Sequence, residues 1–152
     1  MLLECIPLCN KPGIINSVSM EEGKIEAIFP VIADTEWKVI ALTCNDEGIP
    51  DEPKGKLEIA RQIIAAAQRY DISQDRIFID PLVTTLATKQ DSLLNFVETI
   101  RLIKQEVPQV HFTSGLSNIS FGIPFRRGIN MMFFVPCHER RHGLCHHGSH
   151  LP

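Results

Sequence analysis

Four times along the chain a short apolar run ends in a polar residue, and each time a turn-rich loop then leads to an amphipathic stretch at helical spacing. The runs are Gly13-Ile14-Ile15 into Asn16-Ser17-Val18-Ser19, Lys38 to Thr43 into Cys44-Asn45, Ile77-Phe78-Ile79 into Asp80-Pro81, and Val110 to Thr113 into the Gly115–Ser120 loop. Strands without polar alternation are strands covered on both faces, as in parallel sheets. Repeated strand–helix units give parallel strands with right-handed crossovers, so the predicted fold is α/β. The polar strand ends Asn16, Asn45, Asp80 and Asn118 recur about every 30–40 residues, close to the ~30 per unit of a TIM-type (β/α)8 barrel; a doubly wound sheet fits the same spacing.

The helical stretches are read as follows. Ser19 is a candidate N-cap for a helix running to about Thr35, with Glu21 and Glu22 in its first turn, Ile25, Ile28, Phe29 and Ile32 inward, and Pro30 as a kink. Leu57, Ala60, Ile63, Ile64, Ala67 and Tyr70 mark a helix from about Lys56 to Tyr70. A third runs from Asp91 to about Glu106 with Leu94, Val97, Ile100 and Ile103 inward, and a fourth signal follows Pro124. The first eleven residues read as the tail of an earlier element.

Composition narrows the function classes. With 152 residues, 44% hydrophobic content and a formal net charge of −3, the chain is large enough for one core and carries no charge excess that would favour nucleic acid or a membrane surface. No window approaches the ~20 apolar residues of a membrane span, and the N-terminus lacks a signal peptide's basic start and long apolar run, so a cytoplasmic location is expected. Five cysteines, an odd number without framework spacing, point to reduced thiols. Neither a G-x-G-x-x-G fingerprint nor a phosphate-loop lysine motif is present, which lowers a nucleotide-binding reading.

Parallel sheets place their chemistry at the carboxyl ends of the strands, which makes Asp80 the first site candidate. Each candidate also has a plainer reading. Asn16 and Asn118 are equally at home as turn or capping residues, and Asp80 before Pro81 as a turn former. Arg126 and Arg127 read as solvated surface, and Cys44 as a buried small apolar residue.

Gly13-Ile14-Ile15-Asn16-Ser17, Ile40-Ala41-Leu42-Thr43, Ile77-Phe78-Ile79-Asp80-Pro81 and Gly115-Leu116-Ser117-Asn118-Ile119-Ser120 together resemble the pterin-binding methyltransferases that carry the methyl group of methyltetrahydrofolate to a corrinoid protein. The same domain occurs in cobalamin-dependent methionine synthase, and dihydropteroate synthase is a more distant relative. The resemblance covers residues 12–135, with four motifs in order. It implies that Asn16 and Asp80 hydrogen-bond the pterin ring. A carboxylate accepts from the ring's amino and N–H donors, and an amide both donates and accepts. It implies that Asn118 sits near N5 of the folate and acts catalytically, stabilising the positive, protonated state in which N5 becomes a leaving group. Arg126 and Arg127 would be contacts for the folate tail or the partner. The substrate would be methyltetrahydrofolate, and the corrinoid (cobalamin) would arrive on a partner protein. This chain would hold no metal, and the parent enzyme would admit a homodimer. The units would be the fourth to seventh of the barrel, a fragment truncated at both ends, with open sheet edges that favour self-association.

After Val135 the pattern changes. Five of the six histidines fall in the last 15 residues. Cys137, His142, Cys145 and His146 could ligate zinc, but their spacing fits none of the standard zinc patterns. A back-translation of the stretch from Pro136, read one nucleotide out of frame, continues the apolar helix and then gives a strand ending in Asp-Pro. Residues 136–152 are therefore expected to be an aberrant tail, a possible frameshift product, behind a barrel fragment over 1–135. Two alternatives stand beside the methyltransferase. A dihydropteroate synthase-like enzyme would carry a lysine and a Ser-Arg pair near Asn118 and Arg126, which this sequence lacks. A non-catalytic module would bind metal or a partner through the histidine-rich tail.

Overall fold

The computed structural model describes residues 2–139 and 144–146, with side chains over 4–133. After a short helix α1 (Leu2–Cys5), strands and helices alternate: β1 (Ile14–Met20), α2 (Lys24–Ile32), β2 (Lys38–Asn45), α3 (Pro53–Arg69), β3 (Ile77–Asp80), α4 (Ser92–Glu106), β4 (His111–Gly115), α5 (Arg126–Glu139) and β5 (Leu144–His146). Each neighbouring pair of these strands is parallel and the strand order is β1-β2-β3-β4-β5. Sequential parallel neighbours, each joined through a helix, are the arrangement of a (β/α)8 barrel, and this sheet is a part of one.

The helices cover one face of the sheet. Ile15 and Val18 of β1, Val39 and Ala41 of β2, Ile77 and Ile79 of β3 and Phe112 of β4 form one core with Phe29 and Ile32 of α2, Ile63 and Ala67 of α3 and Phe96 and Ile103 of α4. Aromatic pairs lock the layers, with Phe29 edge-on to Tyr70 (ring centroids 6.0 Å apart) and Phe96 against Phe133 of α5 at 5.1 Å. The opposite face carries Asn16, Ile40, Phe78 and His111 side by side in register. There the His111 ring stacks on Phe78 at 4.8 Å and the Lys38 ammonium lies 5.8 Å from the same ring.

At the amino end of the sheet, Arg76 serves the fold. Its guanidinium donates to the Trp37 carbonyl at 2.7 and 2.9 Å and to the Ile32 and Ala33 carbonyls at 2.6 and 3.2 Å. The end of α2, whose Ile32 carbonyl also accepts from the Thr35 amide and hydroxyl, is thereby tied to the entry of β2.

Two expectations need correction, the start of the helix after Ser19 and the inward face of the helix from Asp91. The first helix begins at Lys24 with Gly23 as its N-cap, not after Ser19. A register slip between Asn16 and Val18 lengthens β1 to Met20, so Ile15 and Val18, three residues apart, both reach the helical core. Ser19 is fully buried in that strand and its hydroxyl donates to Glu21 Oε2 at 2.5 Å. Pro30 lies in the last turn of α2, which closes at Ile32. In α4, Leu94 is 71% exposed while Phe96, Thr99, Ile100 and Ile103 are buried. A strict three-residue spacing drifts around a helix of 3.6 residues per turn, and Phe96 keeps the face that Leu94 leaves.

Candidate functional site

The carboxyl edge of the sheet is laced loop to loop. The Glu22 amide donates to Asp46 Oδ1 at 3.2 Å, joining the β1–α2 and β2–α3 loops. Asp51 pairs with Lys89, joining β2–α3 to β3–α4. The Leu86 amide donates to the Ile119 carbonyl at 3.0 Å and Thr85 Oγ1 to the Phe121 carbonyl at 2.5 Å, joining β3–α4 to β4–α5. Within the β3–α4 loop, Ser92 Oγ accepts from the Thr84 amide at 3.0 Å and donates to the Thr84 carbonyl at 2.7 Å, so the loop closes onto the start of α4.

Asp80 is the last residue of β3 and half-buried. Its Oδ1 accepts from the Leu82 amide at 2.9 Å, and its carbonyl accepts from Thr43 Oγ1 at 3.2 Å. The tight turn through Pro81 gives Leu82 a left-handed backbone, φ 52°. Close by, Cys44 at the end of β2 is buried, and burial, with Glu21 and Asp80 adding to it, pushes its thiol pKa up. It is thus a protonated, weakly nucleophilic packing group.

Asn118 lies beyond β4 on a 3-10 turn, Leu116–Ser120. Leu116 and Ile119 are buried and anchor the turn, which leaves Ser117 and Asn118 facing outward. The Asn118 side chain folds back over Gly115, where a Cβ would stand 2.8 Å from its Nδ2. Arg126, the first residue of α5, braces the turn: its Nε donates to Ser120 Oγ at 3.2 Å and its Nη2 to the Ser117 carbonyl at 3.1 Å. Arg127 is exposed.

Asn16 departs from its expected place at a strand end. It is the third residue of β1, exposed on the face away from the helices, and its peptide bond to Ser17 is cis. It pairs with Ile40, two residues before Leu42, the partner of Asp80, so it sits about 7 Å below the Asp80 level on the same face. Asp80 and Asn118 thus share the edge through bonded loops, and Asn16 lines the inner face beneath them. Asn45 serves its own turn, with Oδ1 accepting from the Glu47 amide at 3.1 Å.

One residue that the sequence reading passed over lies beneath this edge. Lys56 of α3 is buried, and its Nζ donates to the Leu82 carbonyl at 2.7 Å. Burial pushes its pKa down to about 8, against the opposing pull of Asp80. An inward lysine amid Leu57, Ala60 and Ile63 is the signal that the helical pattern did offer.

Among the described residues no group of three or more His, Cys, Asp or Glu is placed to hold a metal ion, and no helix is long and apolar enough to cross a membrane. The zinc candidates of the tail, the side chains of Cys137, His142, Cys145 and His146, lie outside the described residues. The backbone of 136–139 continues α5, and Leu144–His146 pairs with Thr113–Gly115.

The parallel strand–helix order, with carboxamide and carboxylate groups at its carboxyl edge, defines the class of α/β barrel proteins whose sites lie at that edge. Within that class, the pattern of the pterin binding enzyme family matches residues 6–146, and the chain belongs to this family. It is 42% identical over 137 residues to a methylcorrinoid:tetrahydrofolate methyltransferase of Eubacterium limosum, covering 89% of this chain and 51% of that protein. It is 34% identical over 137 residues to a methionine synthase of Mycobacterium tuberculosis and 31% over 138 residues to one of Mycobacterium leprae, covering 12% and 11% of those proteins. The chain therefore spans about half the length of the first relative and a small part of the other two.

Proposed function

We propose that the protein binds a reduced folate at the carboxyl edge of its sheet and exchanges the N5-methyl group with the cobalt of a corrinoid carried by a partner protein. The observation that carries this reading is the placement of Asp80 and Asn118 on mutually bonded loops at that edge, in a chain of a pterin-binding family. Asp80 accepts from the amino and N–H donors of the pterin, and Asn16 supplies an amide lower on the same face. Arg127 is available to the carboxylates of the folate tail or to the partner.

The residues' task in the transfer is positioning and charge stabilisation. Starting from methyltetrahydrofolate, the reduced cobalt of the partner contributes the electron pair for the new bond to the methyl carbon. The carbon–N5 bond breaks, its pair stays on nitrogen, and N5 takes up a proton. Asn118, held over Gly115, offers N5 an amide hydrogen bond as charge changes there. The name of the Eubacterium limosum relative gives the opposite direction, methylcorrinoid to tetrahydrofolate. The same groups serve both directions, because forward and reverse share one transition state. This reading takes a corrinoid protein as the partner and the cytoplasm as the place of the exchange.

The test is spectrophotometric. Free cob(I)alamin or a corrinoid protein is mixed anaerobically with methyltetrahydrofolate and the protein, and formation of methylcobalamin is followed. Catalysis above the protein-free rate is expected, with Asn118→Ala slower by roughly 10- to 1000-fold. A rate equal to the protein-free control refutes the proposal.

A further inference from the structure

Lys56 is 5% exposed, a degree of burial that lysine rarely shows without a specific partner. Its stem belongs to the start of α3, which lies tightly against the β2–α3 loop; a Cβ on Gly55 would come within 2.8 Å of Pro50 Cβ. From there Nζ reaches across to the β3–α4 loop and donates to the Leu82 carbonyl. Leucine at φ 52° is in a region that L-residues with bulky side chains rarely occupy, so surrounding bonds must hold the peptide there. Two such bonds are present, Leu82 N–H to Asp80 Oδ1 and Lys56 Nζ–H to Leu82 C=O. The lysine therefore touches the residue whose amide orients the Asp80 carboxylate.

We propose that Lys56 is a positioning residue for folate recognition, fixing the Leu82 peptide so that its amide holds the Asp80 carboxylate toward the binding edge. The inference rests on the folate reading above. It explains why α3 tolerates a buried ammonium that costs desolvation and holds its pKa near 8, when an apolar side chain would pack more cheaply. Asp51 and Lys89, paired with each other and lining with Lys56 a cavity of about 30 Å³, are the other charged groups facing it besides Asp80.

The experiment combines Lys56→Met, which keeps the apolar stem and removes the donor, with Lys56→Arg, which restores one. Methyltetrahydrofolate affinity is measured by titration calorimetry in the wild-type and Asp80→Ala backgrounds. Lys56→Met should weaken binding about tenfold when Asp80 is present and less than about twofold when it is replaced, with Lys56→Arg recovering most of the loss. Equal losses in the two backgrounds, or no loss with Asp80 present, overturn the proposal. Amide hydrogen exchange supplies a readout that needs no folate. Leu82 should exchange at least about tenfold faster in Lys56→Met while α4 keeps its protection. Unchanged Leu82 exchange, or acceleration everywhere, contradicts a positioning role. A wild-type chain that binds no folate defeats the proposed function, and the Leu82 exchange still decides the role of Lys56. Should Lys56→Met not fold, Lys56→Leu, which also removes the donor, is held to the same expectations.

Discussion

The side chain of Asn118 occupies the space that a β-carbon on Gly115 would need, its Nδ2 standing 2.8 Å from that position. Gly115 has φ −73°, which any residue adopts, so its bareness serves the close approach and not the backbone. Gly115→Ala should therefore push the Asn118 amide aside, a cheap movement for a side-chain end, and leave the melting temperature within about 2 °C. Methyl transfer should fall by about tenfold or more. Thermal denaturation measured alongside the cobalamin assay checks the split; a large loss of stability with unchanged activity would contradict it.

Arg126 bridges two groups of the same turn with its planar fork, Ser117 C=O and Ser120 Oγ. Replacing it with alanine should loosen the Asn118 turn and weaken folate binding by about 3- to 10-fold. Lysine, a single flexible ammonium, should restore little of that. Its exposure makes a large loss of stability unexpected. Calorimetric titration of both variants reads the difference.

Phe96 lies fully in the core against Phe133, the contact through which α4 holds α5 and hence the Asn118 turn. Phe96→Ala should cost about 3–5 kcal/mol of unfolding free energy, whereas Leu94→Ala on the exposed side of the same helix should stay within about 0.5 kcal/mol. Urea denaturation at constant m-value separates the two.

Lys56 sets a stability dependence on the alkaline side. Its folded pKa, about 8, lies below the ordinary lysine value of 10.5, so between these values the unfolded chain binds more protons than the folded one. Its contribution to stability should rise as pH increases through that window and be flat below it. Cys44 acts oppositely: its raised pKa means the unfolded chain loses the thiol proton first, and stability falls above pH 9. The difference between wild type and Lys56→Met, measured at pH 7 and pH 10, isolates the lysine. A difference that does not change with pH would exclude a buried ammonium.

The strand–helix order was legible because it rests on local periodicity. Ile77-Phe78-Ile79 reads as buried from its lack of polar alternation, and Leu57 to Ala67 follow the helical period closely. The start of α2 was not legible. The slip at Ser17 depends on pairing with β2, and it converts the apparent cap Ser19 into a buried strand residue. The candidate residues Asp80 and Asn118 were legible as polar residue types at or just after strand ends, while the side chains that brace their loops were not. Arg126 looked like solvated surface because its acceptors, a backbone carbonyl and a hydroxyl, leave no charge pattern in sequence. The burial of Lys56 was signalled by its place on the apolar face of α3, but its partner was not, since that is the Leu82 carbonyl 26 positions away. Asn16 was read as a strand end but sits within β1, because the strand runs on past it.

Calorimetric titration of methyltetrahydrofolate against the wild-type chain and Asp80→Ala tests the central claim most directly. The account predicts binding to the wild type and a loss of about tenfold or more on removing the Asp80 carboxylate, whose hydrogen bonds are charge-assisted. Equal affinity in the two proteins would contradict it and remove Asp80 from the pterin site.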